Sequence, residues 1–102
     1  MNDKILSFLG LCRRAKKMVI GAEVVTESIN SGNALLVLYA DDFSQNSLKP
    51  VAAAAAAKGV PVFRLNRSKE SVSRALGRLC GVLAVEDKGF ADKLTQMILQ
   101  EQ

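Results

Sequence analysis

One apolar run constrains the fold of this chain more than any other feature. Residues 34 to 40, Ala-Leu-Leu-Val-Leu-Tyr-Ala, carry no charged side chain, and the run ends abruptly at Asp41 and Asp42. A strand that is apolar on both of its faces has to be covered on both faces. The run therefore predicts a central strand of a sheet that lies between two layers of helices.

Helical and strand-like segments alternate along the rest of the chain. From the spacing of apolar residues and from the capping signals, helices are predicted at 3–15, 22–31, 47–59, 68–76 and from 87 onward. Short strands are predicted at 18–20, 34–40, 60–65 and 82–85. This order predicts an α/β fold, a three-layer α-β-α sandwich with a small mixed sheet, formed by residues 1–102 as a single domain.

Polar residues stand where the predicted helices begin. Asn2 or Asp3 is available to cap the first helix, and Ser68 is available to cap the fourth. Ser47 is expected to cap the third helix, which would place Pro50 in its first turn. Asp87 is expected to cap the last helix, and Gly32 and Gly59 are expected to end the second and third.

The cysteines and the hydropathy pattern indicate a cytoplasmic protein. No segment approaches the roughly 20 apolar residues that a membrane span needs. The first residues, Met-Asn-Asp-Lys, are interpreted as a helix start and not as a signal peptide. Cys12 and Cys80 are isolated and show no metal-ligand spacing, so we expect both to be reduced and buried.

The chain has a net charge of +4, and its positive charge is concentrated in two clusters. The first contains Arg13, Arg14, Lys16 and Lys17, and the second contains Arg64, Arg67, Lys69, Arg74 and Arg78. Gly21 follows the first cluster and opens the predicted second helix. We expect that cluster and the helix N-terminus to lie side by side and to bind phosphate, so the predicted partner is a nucleic acid.

An enzymatic function has little support in the sequence. The chain has no histidine, and its seven glycines form no dinucleotide or phosphate-loop motif. Asp41 and Asp42, at the end of the central strand, could hold magnesium, and this alternative stays open. We predict no catalytic residues, no cofactor, no metal and no small-molecule substrate.

Several short motifs in a fixed order resemble one known family. They are Lys17-x-x-x-Gly21, Gly32, Ala40-Asp41-Asp42, Gly59-Val60-Pro61, Ser68-Lys69-Glu70, Arg74-Ala75-Leu76-Gly77 and Val82-x-Ala84-Val85. Together they resemble the kink-turn RNA-binding superfamily of ribosomal proteins, the L-seven-Ae and L-thirty-e group. Leu9-Gly10-Leu11, Arg14-Ala15-x-Lys17 and Asp87-Lys88-Gly89-Phe90-Ala91 resemble its short bacterial branch. The resemblance covers nearly the whole chain.

The resemblance implies an RNA-binding protein that grips a sharply bent RNA helix at a sheared G·A step. The partner would be a structured RNA of the ribosome or of the translation machinery. The contact surface that the resemblance implies is the loop before the second helix with the first turn of that helix, and the loop after the fourth helix with two nearby cations. These residues are Lys17, Gly21, Ala22, Glu23, Val24, Lys69, Arg74, Gly77, Arg78, Leu79, Cys80, Gly81 and Val82. The first basic cluster adds Arg13, Arg14 and Lys16 as candidate RNA contacts.

The pair that follows Gly21 departs from the family pattern. Better-known members carry an asparagine and a glutamate there, whereas this chain has Glu23 and Val24. Valine offers no hydrogen bond and a carboxylate only accepts them, so we expect binding through backbone and charge contacts. The alternative is a protein-interaction module that kept the fold and lost specific RNA readout.

Overall fold

Five helices and four strands make up the part of the chain that the computed structural model describes, residues 3–101. In chain order they are α1 (Lys4–Arg14), β1 (Met18–Ile20), α2 (Ala22–Asn30), β2 (Leu36–Tyr39), α3 (Gln45–Lys58), β3 (Val62–Arg64), α4 (Lys69–Leu76), β4 (Val82–Val85) and α5 (Lys88–Gln100). The order and type of every predicted element are confirmed. The strands β2 and β3 are shorter than predicted at both ends.

Side-chain caps fix the starts of three helices as predicted. The Asp3 carboxylate accepts a hydrogen bond from the Leu6 amide at 3.1 Å, and Asp87 accepts one from the Phe90 amide at 2.9 Å. Ser68 caps α4 in the same way. Each cap satisfies an amide that has no partner inside its own helix. The other predicted cap for α1, Asn2, lies outside the described residues.

The prediction for the start of α3 is wrong by one turn. The N-cap is Ser44, whose hydroxyl accepts from the Ser47 amide, so Ser47 lies inside the helix. Pro50 is consequently in the second turn, where its missing N–H removes one intrahelical hydrogen bond. Pro50 is exposed, so water can satisfy the carbonyl that loses this donor. Gly59 ends the helix in the left-handed region, as predicted.

The four strands form one mixed sheet in the order β1-β4-β2-β3. β4 is antiparallel to both β1 and β2, and β2 is parallel to β3. The last residue of β1, Ile20, therefore pairs with Leu83 near the first residue of β4. Beyond that pair the Gly21 amide donates to the Val82 carbonyl at 3.0 Å. We call this the Gly21 end of the sheet.

Both faces of the sheet are buried, as the apolar run of β2 predicts. Leu36 and Leu38 point to one face, where they pack in a core with α1, α4 and α5. Val37 points to the other face and packs with residues of α2 and α3. The alternation along β2 thus produces two cores with the sheet between them. The predicted three-layer α-β-α sandwich is confirmed.

The two cysteines are buried and free, as predicted. Removal from water disfavours the thiolate and raises the pKa of both Cys12 and Cys80 to about 11. Both thiols are therefore protonated near neutral pH. Between residues 3 and 101, no helix has the length and apolar character required to cross a membrane.

Candidate nucleic-acid interface

Helix α2 begins without a side-chain cap. Its N-cap residue is Gly21, which has φ 105° and ψ 146°, a conformation that side-chain-bearing residues rarely adopt. The other four helices described between residues 3 and 101 are each capped by an Asp or Ser side chain. The first amides of a helix have no intrahelical partner. In α2 they remain available, at the positive end of the helix dipole, to an external acceptor.

The loop after α4 lies directly beside this helix start. Gly77, in the left-handed region at φ 70°, ends α4. The Ser73 hydroxyl accepts from the Cys80 amide at 2.8 Å, and the Ala40 amide donates to the Gly81 carbonyl at 2.9 Å. These contacts and the Gly21–Val82 hydrogen bond fix the loop at the Gly21 end of the sheet. The two segments implied by the family resemblance are therefore adjacent.

The side chains of this loop divide into exposed and buried groups. Leu79 is 84% exposed, an unusual position for a large apolar side chain. Arg78 is also exposed. Cys80 and Val82 face the interior at 2% and 1% exposure, so only their backbone atoms can contribute to a surface. Sequence spacing alone gave no signal of which residues in the loop point outward.

Gly81 is restricted by a residue that the sequence analysis did not single out. A Cβ atom at Gly81 would lie 2.6 Å from the Phe43 ring. Phe43 follows the Asp41-Asp42 pair at the end of β2, and its ring partly fills the space under the loop. The glycine thus allows the loop to approach the chain that leaves β2.

Packing of α1 beside α4 brings the two basic clusters together. The Arg13 guanidinium donates to the Leu76 carbonyl at the end of α4 at 2.7 Å. At Gly10 the helices are so close that a Cβ atom would lie 3.3 Å from the Ala75 carbonyl oxygen. As a result, Arg14 and Arg74, which are sixty residues apart in the sequence, line one groove of about 490 Å³ between the helices.

The charged surface continues from this groove to the exposed loop. Arg74 also borders a shallow depression of about 760 Å³ that contains Lys69, Arg78 and Leu79. We call Arg14, Lys69, Arg74 and Arg78 the basic band. Arg13 supports the band by joining α1 to α4. The band starts beside Leu79 and runs along α4 toward α1.

Lys16 and Lys17 lie elsewhere, contrary to the expectation that the first cluster adjoins the start of α2. The Lys17 carbonyl accepts from the Glu86 amide at 2.8 Å, at the end of the sheet opposite Gly21. The three residues of β1 therefore separate Lys17 from Gly21 by about 13 Å along the strand. The backbone between α1 and β1 turns at Lys16, which has φ 61°. The predicted cluster is thus divided by the course of β1.

Acidic side chains occupy defined positions around the basic band. The Asp42 carboxylate accepts from the Lys69 amide at 2.7 Å, which supplies a local role for this residue. Glu70 lies 3.5 Å from Arg74, and both side chains are more than 75% exposed (81% and 77%).

Within residues 3–101, no group of three or more His, Cys, Asp or Glu side chains is arranged to hold a metal ion. Glu23 is exposed in the first turn of α2, next to Val24, which is 46% exposed.

Arg67 lines the same α1–α4 groove as Arg14 and Arg74, but we do not include it in the basic band because its charge is paired with carboxylates. Its guanidinium contacts the Asp3 carboxylate at 2.9 Å and the Glu101 carboxylate at 2.6 Å. Only 14% of its side chain is exposed. The hydrogen bonds from Arg67 lower the pKa of both Asp3 and Glu101. We call these three residues the Arg67 clamp.

Comparison with known proteins agrees with the fold and with the predicted family. Residues 3–95 match the profile of the ribosomal protein L7Ae/L30e/S12e/Gadd45 family. A protein of Bacillus subtilis named RNA-binding protein YlxQ is 36% identical over 91 residues, covering 88% of this chain and 90% of its own. The protein of the same name from Enterococcus faecium is 32% identical over 97 residues, covering 95% and 93%.

A solved structure is similar over almost its full length. It is a protein of unknown function from Bacillus halodurans, with a TM-score of 0.89, 30% identity, and coverage of 95% of this chain and 98% of that one. The predicted resemblance, including the short bacterial branch, is confirmed by the YlxQ relatives. The chain belongs to the ribosomal protein L7Ae/L30e/S12e/Gadd45 family.

Proposed function

We propose that this chain is a non-enzymatic protein that binds structured RNA at the Gly21 end of its sheet. Two relatives that align with at least 88% of the chain are named RNA-binding proteins. The observation that carries the proposal is the contact between an uncapped helix start and a fixed loop with an exposed leucine. Gly21 and Val82 hold these two segments together with a hydrogen bond of 3.0 Å.

The two segments offer complementary interactions to a bent RNA. The amides at the start of α2 suit a phosphate or a base acceptor, because they lack partners within the helix. Leu79 offers an apolar surface that suits the face of a base turned out of its stack. A regular duplex presents phosphates and keeps its bases stacked. A kinked or bulged RNA presents phosphates and an unstacked base together, so we assign this class of RNA as the ligand.

The basic band supplies the contacts that do not depend on sequence. Arg14, Lys69, Arg74 and Arg78 are spread over the α1–α4 groove and the depression next to Leu79. Their charges suit phosphates on the RNA arm that leaves the kink over α4. Glu23 limits readout, because a carboxylate can only accept hydrogen bonds, for example from guanine N1 and N2 or cytosine N4.

The cellular RNA, in this proposal, is ribosomal or otherwise part of the translation machinery, and the protein acts in the cytoplasm. This finer assignment rests on the family, whose members include ribosomal proteins.

Salt-dependent binding tests the proposal. Affinities for a kink-turn RNA, a bulged ribosomal helix and a plain hairpin would be measured by filter retention between low and moderate salt. If the four cations of the basic band contact phosphates, the log–log slope should be about −3 to −4. The bent RNAs should bind more tightly than the hairpin. Absence of retention at low ionic strength for all three RNAs would refute the proposed function.

Glu23 and Val24 favour one rival, a protein-interaction module that has lost RNA readout. Val24 is 46% exposed and Glu23 adds negative charge where a phosphate would lie. Ultraviolet crosslinking in cells followed by sequencing separates the two functions. RNA crosslinked to the loop at 77–81 supports RNA binding, whereas recovery of protein partners without RNA supports the rival.

A further inference from the structure

A second surface lies between α1 and α5, away from the Gly21 end of the sheet. The two helices run antiparallel, since the Arg67 clamp joins Asp3 before α1 to Glu101 after α5. Phe8, midway along α1, packs against Phe90 in the first turn of α5, with ring centroids 5.1 Å apart. Outside this pair is a groove of about 400 Å³, which is lined by Lys4, Ser7, Phe8, Leu11, Lys93 and Met97.

The floor of this groove is apolar and accessible. Leu11 is 46% exposed, and Phe8 and Met97 are only partly buried. Lys4, Phe8 and Leu11 follow one another at helical spacing on one side of α1. The distance from the first to the last is about 10 Å, or two helical turns. The groove therefore has the length and apolar character to receive a short run of side chains from another helix.

The charged side chains that line the groove between α1 and α5 are all positive. Lys4 and Lys93 flank the apolar floor, and no carboxylate lines the groove. Among residues 3–101, neither lysine lies within 4.0 Å of a carboxylate, although Lys88 pairs with Asp92 one turn away on α5. On the α1 side, the next charged residue after Leu11 is Arg13, again a cation. The groove is thus complementary to apolar side chains flanked by acidic ones.

We propose that this groove docks an acidic amphipathic helix of a partner protein. A membrane surface fits less well, because the apolar side chains line a concavity. A second copy of the chain would bring the same lysines together across a symmetric contact. RNA would find an apolar floor in place of helix-start amides. This inference does not depend on the proposed RNA-binding function, since the groove contains no residue of the Gly21 end and no cation of the basic band, and shares only Ser7 with the α1–α4 groove.

A labelled helical peptide with leucines along one face and flanking glutamates tests the proposal in solution. Controls are the same peptide with lysines replacing the glutamates and a scrambled peptide of identical composition. Fluorescence anisotropy should show binding of the acidic peptide alone. The double variant Lys4→Glu, Lys93→Glu should weaken its binding about tenfold and create binding of the lysine peptide. Equal binding of the peptides, or no effect of charge reversal, would overturn the proposal.

Crosslinking in cells tests whether such a partner exists. A photo-crosslinking amino acid would replace Leu11, and in a matched control it would replace Leu99, which is 54% exposed on α5 but lies outside the groove. Mass spectrometry should find acidic helical segments of one protein crosslinked at position 11 and absent at position 99. Crosslinks to RNA, to lipid or to a second copy, or identical products at both positions, would refute the inference.

Discussion

Arg67 and Arg74 lie seven residues apart in one basic stretch, but the fold uses their charges in different ways. Arg67 is 14% exposed and contacts two carboxylates, one before α1 and one after α5. Arg74 is 77% exposed, and its nearest carboxylate, that of Glu70, is 3.5 Å away on the same exposed helix face. The Arg67 clamp joins the segment before α1 to the segment after α5, whereas Arg74 in the basic band exposes its charge to solvent. Cationic residues in a cluster are therefore not equivalent as candidates for binding.

The largest expected effect comes from breaking the Arg67 clamp. Arg67→Met should lower the free energy of unfolding by about 2 kcal/mol, between the values typical of exposed and of buried ion pairs. The melting temperature would fall by about 10 °C. Arg74→Met is the matched control and should leave stability within about 0.5 kcal/mol of the wild type. Calorimetry of both variants would measure these changes. Equal losses of unfolding free energy would show that the two arginines contribute equally to stability.

The pH dependence of stability checks the same contacts. Arg67 lowers the pKa of Asp3 from its ordinary 3.8 and that of Glu101 from its ordinary 4.5. Groups with a lowered pKa stabilise the fold above their ordinary values and lose that contribution as pH falls through the lowered ones. The stability difference between wild type and Arg67→Met should therefore be constant near neutrality and shrink below about pH 4.5. A difference that persists at pH 2 would indicate a packing role for the side chain.

The two ends of α2 provide the next test. Gly21 and Gly32 both have positive φ, at 105° and 84°, and a Cβ atom at either would meet nothing within 4 Å. Both Gly21→Ala and Gly32→Ala should therefore cost stability from backbone strain, with the larger cost at Gly21, whose ψ of 146° places it in a region that is almost restricted to glycine. Only Gly21→Ala places a side chain where RNA would approach, and we expect about tenfold weaker binding, or 1.4 kcal/mol. Equal affinities of the two folded variants would show that RNA does not approach Gly21.

Substitutions in the basic band should weaken RNA binding and leave stability nearly unchanged, whereas a substitution in the Arg67 clamp should mainly lower stability. Arg74→Met should weaken binding of every RNA by about 1 kcal/mol and reduce the salt slope by about 1. Arg14→Ala should act similarly, because both side chains line the same groove. Lys58, exposed at the end of α3, supplies the control, and Lys58→Ala should change neither quantity. A loss with Lys58→Ala equal to that with Arg74→Met would mean that binding follows net charge alone.

The smallest expected effect concerns selectivity at α2. Glu23 lies in the first turn and Glu27 one turn later, and both are exposed. Glu23→Gln should change the ratio of affinities for a kink-turn and a plain hairpin about threefold, or 0.6 kcal/mol. Glu27→Gln removes the same charge farther from the helix start and should leave the ratio unchanged. Identical ratios for the two variants would limit Glu23 to a favourable interaction with the helix dipole.

Features encoded by local spacing could be predicted from the sequence. The apolar run of β2 requires cover on both faces, and the caps Asp3, Ser68 and Asp87 mark helix starts by their own hydrogen bonds. The sequence did not distinguish Ser44 from Ser47 as the start of α3, because either serine can act as an N-cap. Pro50 in the second turn is exposed, so water can satisfy the carbonyl that loses its hydrogen-bond donor.

Features encoded by contacts between distant segments could not be predicted. Arg67 looks like the other cations of its cluster, and its partners Asp3 and Glu101 lie near opposite ends of the chain. The meeting of Arg14 and Arg74 depends on the close packing of α1 and α4 at Gly10. The separation of Lys17 from Gly21 depends on the direction of β1 in the sheet. Each of these requires the topology before a role can be assigned.

The central position of β4 determines when the proposed RNA surface forms during synthesis. β1 at residues 18–20 has no strand partner other than β4 at residues 82–85 in the described sheet. The Gly21–Val82 hydrogen bond that fixes the loop beside α2 must wait for the same residues. Pairing over such a separation closes a long loop and is slow compared with local helix formation. The parallel pair of β2 and β3 can form earlier in translation, but the proposed RNA surface cannot be completed before β4 has been synthesised.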